Sequence, residues 1–327
     1  MKRLAIIAAC LLVLAGCKSN GTTPEPVAAD VDYTQVAVPA FDADSAYGFV
    51  AAQLAFGNRT PGSKGWELCA AWLERQMGRW CDTVMVQPFK ATLWNGQTVP
   101  GRNIIGSLNP MAPKRVLLAA HWDSRLWADH DPDASLQHQP LLGANDGASG
   151  VAVLMETARA MQQQRPEIGV DIIFFDLEDQ GTPEWAERYE DDTWCKGAQH
   201  WSRNPHQPFY QARYGILLDM VGVEQPRFTK EQFSMQYAST ITNKVWAIAS
   251  AIGYGGIFED TKTDPILDDH LYINTLRGIP TADIVQHSHR ISFFSHWHTT
   301  TDDLKSVSPQ TLKIVGDVVL TTVYSTK

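Results

Sequence analysis

The sequence is short of positive charge. Its 327 residues include 27 Lys and Arg against 36 Asp and Glu, which gives a formal net charge of −9. A nucleic-acid partner is therefore not expected, because phosphate binding needs a basic surface. Cysteine is scarce too, and five residues are too few for a fold built on disulfides. With 44% hydrophobic residues, the composition is typical of a globular protein, which excludes a largely disordered or collagen-like chain.

The apolar run near the N-terminus is too short for a permanent membrane helix. It covers residues 4–14, about half of what a bilayer requires. The run follows Lys2-Arg3 and precedes Ala15-Gly16-Cys17, which is the layout of a signal peptide. Leu14-Ala15-Gly16-Cys17 resembles a bacterial lipobox. We therefore expect residues 1–16 to be removed and Cys17 to be lipidated, with plain secretion as the alternative.

This N-terminal pattern predicts the organisation of the mature chain. Residues 17–40 are rich in Thr, Pro and Ala and read as a flexible tether, and residues 41–327 read as one domain. We expect an exported lipoprotein on the periplasmic side of a membrane or at the cell surface. It would be a monomer and would meet the membrane only through its lipid anchor. Of the thiols Cys69, Cys81 and Cys195, at least one has no partner within the chain.

Four short apolar runs predict a central sheet. Each is apolar on both faces, as are strands buried in a mostly parallel sheet. The runs are residues 115–120, 170–175, 214–218 and 281–285. Asn95-Gly96 predicts a hairpin between two further strands. Helices are predicted from Asp42 or Asp44 to residue 56 and over residues 65–80, 151–161 and 309–324. The fold class is thus α/β, with a mixed, mostly parallel sheet flanked by helices.

Polar residues collect where these runs end. His121 follows the first run, Glu178-Asp179 the second and Asp219 the third, and a His-rich loop ending at His298 follows the fourth. Ligands of open α/β sheets bind at the carboxyl ends of strands, so these residues predict one convergent site. Together with Asp146 they offer imidazole and carboxylate ligands and no thiolate. Such a set suits a catalytic Zn²⁺ site better than Ca²⁺ or Mg²⁺.

The adjacent carboxylates of Glu178 and Asp179 are the most informative pair. Like charges side by side repel, and the cost is offset if one group binds a cation and the other carries a proton. A solvated acidic turn is the alternative, since five more acidic residues follow between residues 184 and 192. The apolar residues before the pair and the matching strand ends favour the functional interpretation.

Several segments resemble the signature of the zinc aminopeptidase M28 superfamily. They are His121-Trp122-Asp123-Ser124, residues 143–148, residues 175–179 and Trp297-His298-Thr299, with residues 59–63 as a further match. In this superfamily aminopeptidases bind two zinc ions. Type II glutaminyl cyclases keep the fold, bind one zinc ion and convert N-terminal Gln to pyroglutamate. Three features resemble the cyclase branch: Trp297 before His298, Asp268-Asp269-His270 and Leu217-Leu218-Asp219.

This resemblance implies a role for each candidate residue. Zinc would be held by Asp146, Asp179 and His298, and Glu178 would move a proton from the substrate amine to the departing ammonia. Asp219 and Asp268 would share a short hydrogen bond beside Glu178. The substrate pocket would be formed by the indole N–H of Trp297 and by apolar walls from Phe293 or Phe294 and from Trp185. The substrates would be peptides or proteins with N-terminal Gln.

Two positions depart from the animal cyclases and leave alternatives open. Asp179 stands where those enzymes have Glu, and Asp283 stands where they have His, a more aminopeptidase-like choice. The alternative function is a two-zinc aminopeptidase in which His121 and Asp219 complete a second metal site. A third interpretation, a non-catalytic binding protein of this fold, is disfavoured because it needs neither Glu178 nor a complete ligand set.

Overall fold

Residues 32–40, the end of the predicted tether, belong to the same compact unit as residues 41–327. The computed structural model describes residues 31–288 and 293–327. The predicted signal peptide 1–16, Cys17 and the tether up to residue 30 lie outside the described residues. The compact unit starts at Asp32, with Tyr33 and Val38 packed against the core and Pro39 buried. These apolar side chains add to the core, and the predicted bounds of signal peptide, tether and domain remain a prediction.

A mixed sheet forms the centre of the domain. Within the described residues the strands are β1 (Thr83–Thr92), β2 (Thr98–Leu108), β3 (Arg115–His121), β4 (Gly169–Phe175), β5 (Gly215–Asp219), β6 (Phe228–Glu231), β7 (Phe258–Thr263) and β8 (Thr281–Val285). Six of them form the central sheet, in the order β1-β2-β4-β3-β5-β8. The β1–β2 and β2–β4 pairs are antiparallel, and the β3–β4, β3–β5 and β5–β8 pairs are parallel. The predicted hairpin and mostly parallel sheet are confirmed, while the separate parallel pair β6–β7 was not predicted.

Helices cover both faces of the sheet. They are α1 (Ala43–Leu54), α2 (Lys64–Trp80), α3 (Ala148–Ala160), α4 (Lys196–Arg203), α5 (Gln232–Tyr237), α6 (Ser239–Ala251), α7 (Asp269–Tyr272) and α8 (Pro309–Tyr324). Alternate residues of β3 enter different hydrophobic clusters. Val116 and Leu118 join the cluster that contains α1, α3 and α8, whereas Leu117 and Ala119 join the one that contains α4. A strand apolar on both faces is therefore buried on both faces, as predicted.

Local sequence signals fix the helix starts. Asp42 caps α1 by accepting hydrogen bonds from the backbone N–H groups of Asp44 and Ser45, and Ser63 caps α2 by accepting one from Trp66.

Cys69, Cys81 and Cys195 are all free thiols, so none of them pairs with another. In residues 31–288 and 293–327, no helix has both the length and the apolar character needed to cross a membrane.

The sheet topology brings the candidate residues to one edge. Strands β3, β4, β5 and β8 are parallel, so their carboxyl ends lie on the same side. His121 is the last residue of β3 and Asp219 the last of β5. Glu178 and Asp179 lie in the turn after β4, which ends at Phe175. The convergence expected from the strand ends is therefore present in the fold.

Candidate functional site

Asp146, Asp179 and His298 lie together in a buried cluster. Nε2 of His298 is 3.1 Å from Oδ1 of Asp179 and 3.6 Å from Oδ2 of Asp146. One potential ligand atom from each residue lies within 4.8 Å of the other two. The structure thus assembles the three residues that the sequence analysis proposed as metal ligands.

The donor set and its surroundings fit a catalytic zinc ion. One imidazole nitrogen and two carboxylates leave a fourth position for substrate, and the group includes no thiolate. The other ring nitrogen of His298, Nδ1, lies 3.3 Å from Oδ1 of Asp129, although it is not aligned for a hydrogen bond. A carboxylate behind the ligand histidine is the usual support of zinc-binding imidazoles. Burial opposes the carboxylate charges here, which a cation would offset.

Arg125 organises the carboxylates around His298, and the sequence analysis missed it. Its guanidinium group donates to both carboxylate oxygens of Asp129, at 2.7 and 2.6 Å. The remaining nitrogen, Nη1, donates to the backbone oxygen of Asp179 at 3.0 Å and to its Oδ1 at 3.2 Å. Arg125 is 1% exposed. One buried cation therefore orients both a metal-ligand candidate and the support of His298, and no motif marks it.

Asp302 holds the loop that carries Asp146, and it too was missed. Its two carboxylate oxygens accept hydrogen bonds from the backbone N–H groups of Asn145, at 2.9 Å, and Asp146, at 3.0 Å. Burial raises the pKa of Asp302 to about 7, with the nearby charge of Asp146 adding to the effect. Its position four residues after His298 was the one available signal.

A glycine allows the same loop to pass close to β3. Gly147 has φ 97°, and a Cβ atom there would lie 2.6 Å from the backbone oxygen of Asp123 and 3.0 Å from the ring of His121. Both the left-handed backbone and the lack of space require glycine. This turn starts α3 and presents Asp146 toward the strand ends.

Asp123 holds the backbone of Glu178 and Asp179 in place. Its carboxylate accepts hydrogen bonds from the backbone N–H groups of both residues, at 3.1 and 3.2 Å. The side chain of Gln180 donates a further bond at 2.9 Å. Glu178 and Asp179 are 8% and 2% exposed. The alternative of a solvated acidic turn is therefore wrong, because the chain folds this segment into the interior.

Glu178 has the surroundings of a proton carrier. Its Oε1 accepts a hydrogen bond from Sγ of Cys195 at 3.2 Å, and the Asp268 carboxylate belongs to the same compact group. Burial raises the pKa of Glu178 well above its ordinary value, and the neighbouring charges of Asp268 and Asp179 raise it further. A carboxyl group with a raised pKa can both accept and return a proton near neutral pH.

His121 joins a second group of possible ligands that shares Asp146. Its Nε2 lies 3.1 Å from Oδ1 of Asp146 and 3.1 Å from Oδ1 of Asp219. Burial alone lowers the pKa of His121, but its contacts with Asp123, Asp146 and Asp219 outweigh burial and raise it well above its ordinary value. Burial raises the pKa of Asp219 to about 7.

Asp268 lies in a buried acidic cluster beside this site. Its Oδ1 accepts the backbone N–H of Asp269, and its Oδ2 has no hydrogen-bond partner among the described residues. Asp268, His270 and Asp283 also form a compact group. The short bond expected between Asp219 and Asp268 remains a prediction, because the hydrogen bonds found for each carboxylate lead to other groups.

Aromatic side chains surround the His298 ring. Trp297 stacks on it with ring centroids 3.8 Å apart, and Trp194, which the sequence analysis missed, lies nearly parallel at 6.1 Å. Phe293 contacts Trp297 at 4.6 Å. Trp185 is 37% exposed, and its role as a pocket wall remains a prediction. Residues 289–292 of the predicted His-rich loop lie outside the described residues.

Comparison with known proteins places the chain in a family. Residues 103–323 match peptidase family M28. The bovine glutaminyl-peptide cyclotransferase is 25% identical over 248 residues, which cover 64% of this chain and 62% of the bovine protein. The chain thus spans less than two thirds of that relative.

Two solved bacterial structures match over nearly the whole folded part. The glutaminyl cyclase of Bacteroides thetaiotaomicron, bound to N-acetylhistamine, is 47% identical with a TM-score of 0.88, covering 89% of this chain and 100% of that chain. A Zn-dependent exopeptidase from Parabacteroides distasonis is also 47% identical, with a TM-score of 0.86 and coverage of 88% and 99%. The family match spans most of the domain and includes every metal-ligand candidate. The chain therefore belongs to peptidase family M28.

Proposed function

We propose that this chain is a zinc-dependent glutaminyl-peptide cyclotransferase that converts N-terminal Gln to pyroglutamate and releases ammonia. The observation that carries the proposal is the buried ligand set of Asp146, Asp179 and His298. The buried Glu178 carboxyl group stands next to Asp179. The set can hold one zinc ion, which leaves Glu178 to move a proton. The similarity to bovine and bacterial glutaminyl cyclases supports this choice.

The proposed reaction needs no protein nucleophile. Zinc, when bound by Asp146, Asp179 and His298, supplies Lewis-acid polarisation of a carbonyl oxygen. The substrate's own α-amine attacks the γ-carboxamide carbon, and the tether between the two groups provides a high effective concentration. The C–N bond to the side-chain nitrogen breaks as the ring closes.

Glu178 transfers a proton between the two nitrogen atoms in this scheme. Its carboxylate takes one proton from the attacking amine and gives it to the departing nitrogen, which leaves as ammonia. Burial supports this role because it raises the pKa of Glu178, and a carboxyl group with a raised pKa can both take up and give back a proton. Asp219 and Asp268 would share a short hydrogen bond beside Glu178, and Trp297 with Phe293 would enclose the substrate side chain.

The direct test follows ammonia released from a peptide with N-terminal Gln. We expect equal amounts of ammonia and cyclised peptide, with no free amino acid. Glu178→Gln keeps the shape of the side chain but cannot take up the proton, so we expect kcat to fall by about 10²–10⁴-fold with the zinc content unchanged. Unchanged ammonia release by Glu178→Gln would show that the proton-transfer assignment is wrong.

A two-zinc aminopeptidase is the second candidate, and one observation favours it. Asp146 faces His121 with Oδ1 and His298 with Oδ2, so one carboxylate could bridge two ions. The similar exopeptidase from Parabacteroides distasonis agrees with this alternative. Zinc content separates the two functions. We expect about one ion per chain, whereas two ions together with release of the N-terminal residue would establish the peptidase.

We also infer that the chain is an exported, lipid-anchored protein. The inference rests on the pattern of residues 1–17 and on the Thr-, Pro- and Ala-rich segment that follows. Cys17→Ser should abolish incorporation of a labelled fatty acid and release the protein from the membrane fraction. Labelling of Cys17→Ser at the level of the wild type would refute the anchor.

A further inference from the structure

Cys195 contacts Glu178 at two points, although the proposed reaction gives it no role. Its backbone N–H donates to the backbone oxygen of Glu178 at 2.9 Å. Its Sγ donates to Oε1 of the Glu178 carboxylate at 3.2 Å. Cys195 is 0% exposed. Both the backbone and the side chain of the proton carrier are therefore bound by one residue.

An unfavourable backbone conformation places this thiol. Cys195 has φ 55°, in the left-handed region that non-glycine residues rarely adopt, and Leu177 opposite has φ 57°. The turn that contains Leu177 and the turn that contains Cys195 are joined, because the backbone N–H of Lys196 donates to the backbone oxygen of Leu177 at 2.9 Å. Such strain persists only where the surroundings enforce it, and it gathers at functional sites.

Helix α4, which follows Cys195, packs closely against the turn after β4. Gly197, in the first turn of α4, lies so near Asp176 that a Cβ atom would be 2.3 Å from the Asp176 backbone oxygen. The end of β4 and the start of α4 therefore form one rigid junction. This junction holds the Cys195 thiol against the Glu178 carboxylate.

A thiol has the right chemistry to orient a proton carrier. It is uncharged and a weak donor, so it can select one carboxylate orientation without binding the carrier's negative charge as tightly as a cation would. Burial raises the pKa of Cys195 well above its ordinary value, and the charge of Glu178 raises it further. The sulfur thus keeps the proton that it donates.

We propose that Cys195 is a positioning residue whose S–H group holds the Glu178 carboxylate in its working orientation. This inference rests on the proposed cyclotransferase function. Removing the donor frees the carboxylate to rotate away from the reacting atoms. We therefore expect Cys195→Ala to lower kcat for ammonia release by about tenfold, the effect of one lost hydrogen bond to a charged group. KM should be nearly unchanged, because the thiol does not touch substrate.

Conservative and control variants separate positioning from packing. Cys195→Ser retains a donor and should recover most of the lost kcat. Cys69→Ala also removes a fully buried free thiol, but from helix α2 and the core, so it should leave kcat unchanged. In the Glu178→Gln background, Cys195→Ala should add no further loss, since the group that it positions no longer carries a proton.

The S–H stretching band in the infrared tests the contact without any turnover. At a pH at which Glu178 is ionised, we expect the band removed by Cys195→Ala to shift to higher frequency in Glu178→Gln, because a neutral amide is a weaker acceptor than a carboxylate. An unshifted band overturns the inference, as does an active wild type whose kcat is unaffected by Cys195→Ala. A wild type that releases no ammonia from Gln-peptides overturns the proposed function, and this inference with it.

Discussion

At the scale of single residues, two adjacent carboxylates have different partners, and we therefore assign them different roles in the proposed function. Asp179 meets the Arg125 guanidinium group and His298, whereas Glu178 meets the Cys195 thiol and other carboxyl groups. The sequence located this pair because both residues follow a buried strand. It could not locate Arg125 or Asp129, since their partners are brought close only by the tertiary fold.

Arg125 provides a prediction at this scale. Arg125→Lys keeps a positive charge but loses the planar group that bonds both oxygens of Asp129 while reaching Asp179. We expect zinc affinity to fall by about 10–100-fold, the usual cost of losing a group that orients metal ligands. Competition with a chelator measures this change. The exposed Arg79→Lys serves as the control, and equal affinity in both variants would contradict the role assigned to Arg125.

At the scale of elements, buried strands were predictable and short polar elements were not. The apolar runs at β3, β4, β5 and β8 and the helix Pro309–Tyr324 all form as predicted. By contrast, β7 spans the residues Phe-Glu-Asp-Thr-Lys-Thr, and the three residues at positions 260–262 are exposed. Its pairing with β6 depends on the fold around it. Helix α4 was missed because it starts at the left-handed Cys195 and carries no capping side chain.

The turn at the start of α3 gives a prediction with a matched control. Gly147 and Gly253 have nearly the same φ, +97° and +96°, but a Cβ atom would collide only at Gly147. We expect Gly147→Ala to lower both zinc affinity and the unfolding temperature. Gly253→Ala should carry only the cost of the left-handed backbone, about 1 kcal/mol. Equal unfolding temperatures and equal zinc affinities in the two variants would show that the Asp146 loop tolerates displacement.

The buried group of Asp268, His270 and Asp283, the last of which lies in β8, predicts a pH-dependent change in stability. Burial raises the pKa of Asp283 well above its ordinary value, and the nearby charge of Asp268 raises it further. Well below pH 4 the group is protonated in both the folded and the unfolded chain. At higher pH the unfolded carboxyl ionises while the folded one keeps its proton, so the free energy of unfolding falls.

Asp283→Asn removes that titration while keeping the shape of the side chain. We expect its unfolding temperature to exceed that of the wild type at pH 8 and the difference to shrink toward pH 4. Thermal unfolding across this range measures the difference. The exposed Asp264→Asn is the control. A difference that does not vary with pH would contradict a raised pKa at Asp283.

At the scale of the whole molecule, the fold was predictable but the number of metal ions was not. The alternation of apolar runs and helical segments is a property of the chain itself, and it led to the correct sheet and to the residues at its edge. His121 and Asp219, however, serve equally as a charged pair or as ligands of a second ion. The identity of these two residues therefore cannot decide between a cyclase and a peptidase. The zinc content and the products of the reaction can.

The most direct test follows the nitrogen atoms of a peptide whose N-terminal Gln carries a heavy isotope in the side-chain amide. The zinc-loaded protein should release all of the label as ammonia, while the α-nitrogen stays in the ring of the cyclised peptide. Mass spectrometry of both products measures this directly. Label recovered in free glutamine beside a shortened peptide would contradict the proposed function and identify an aminopeptidase.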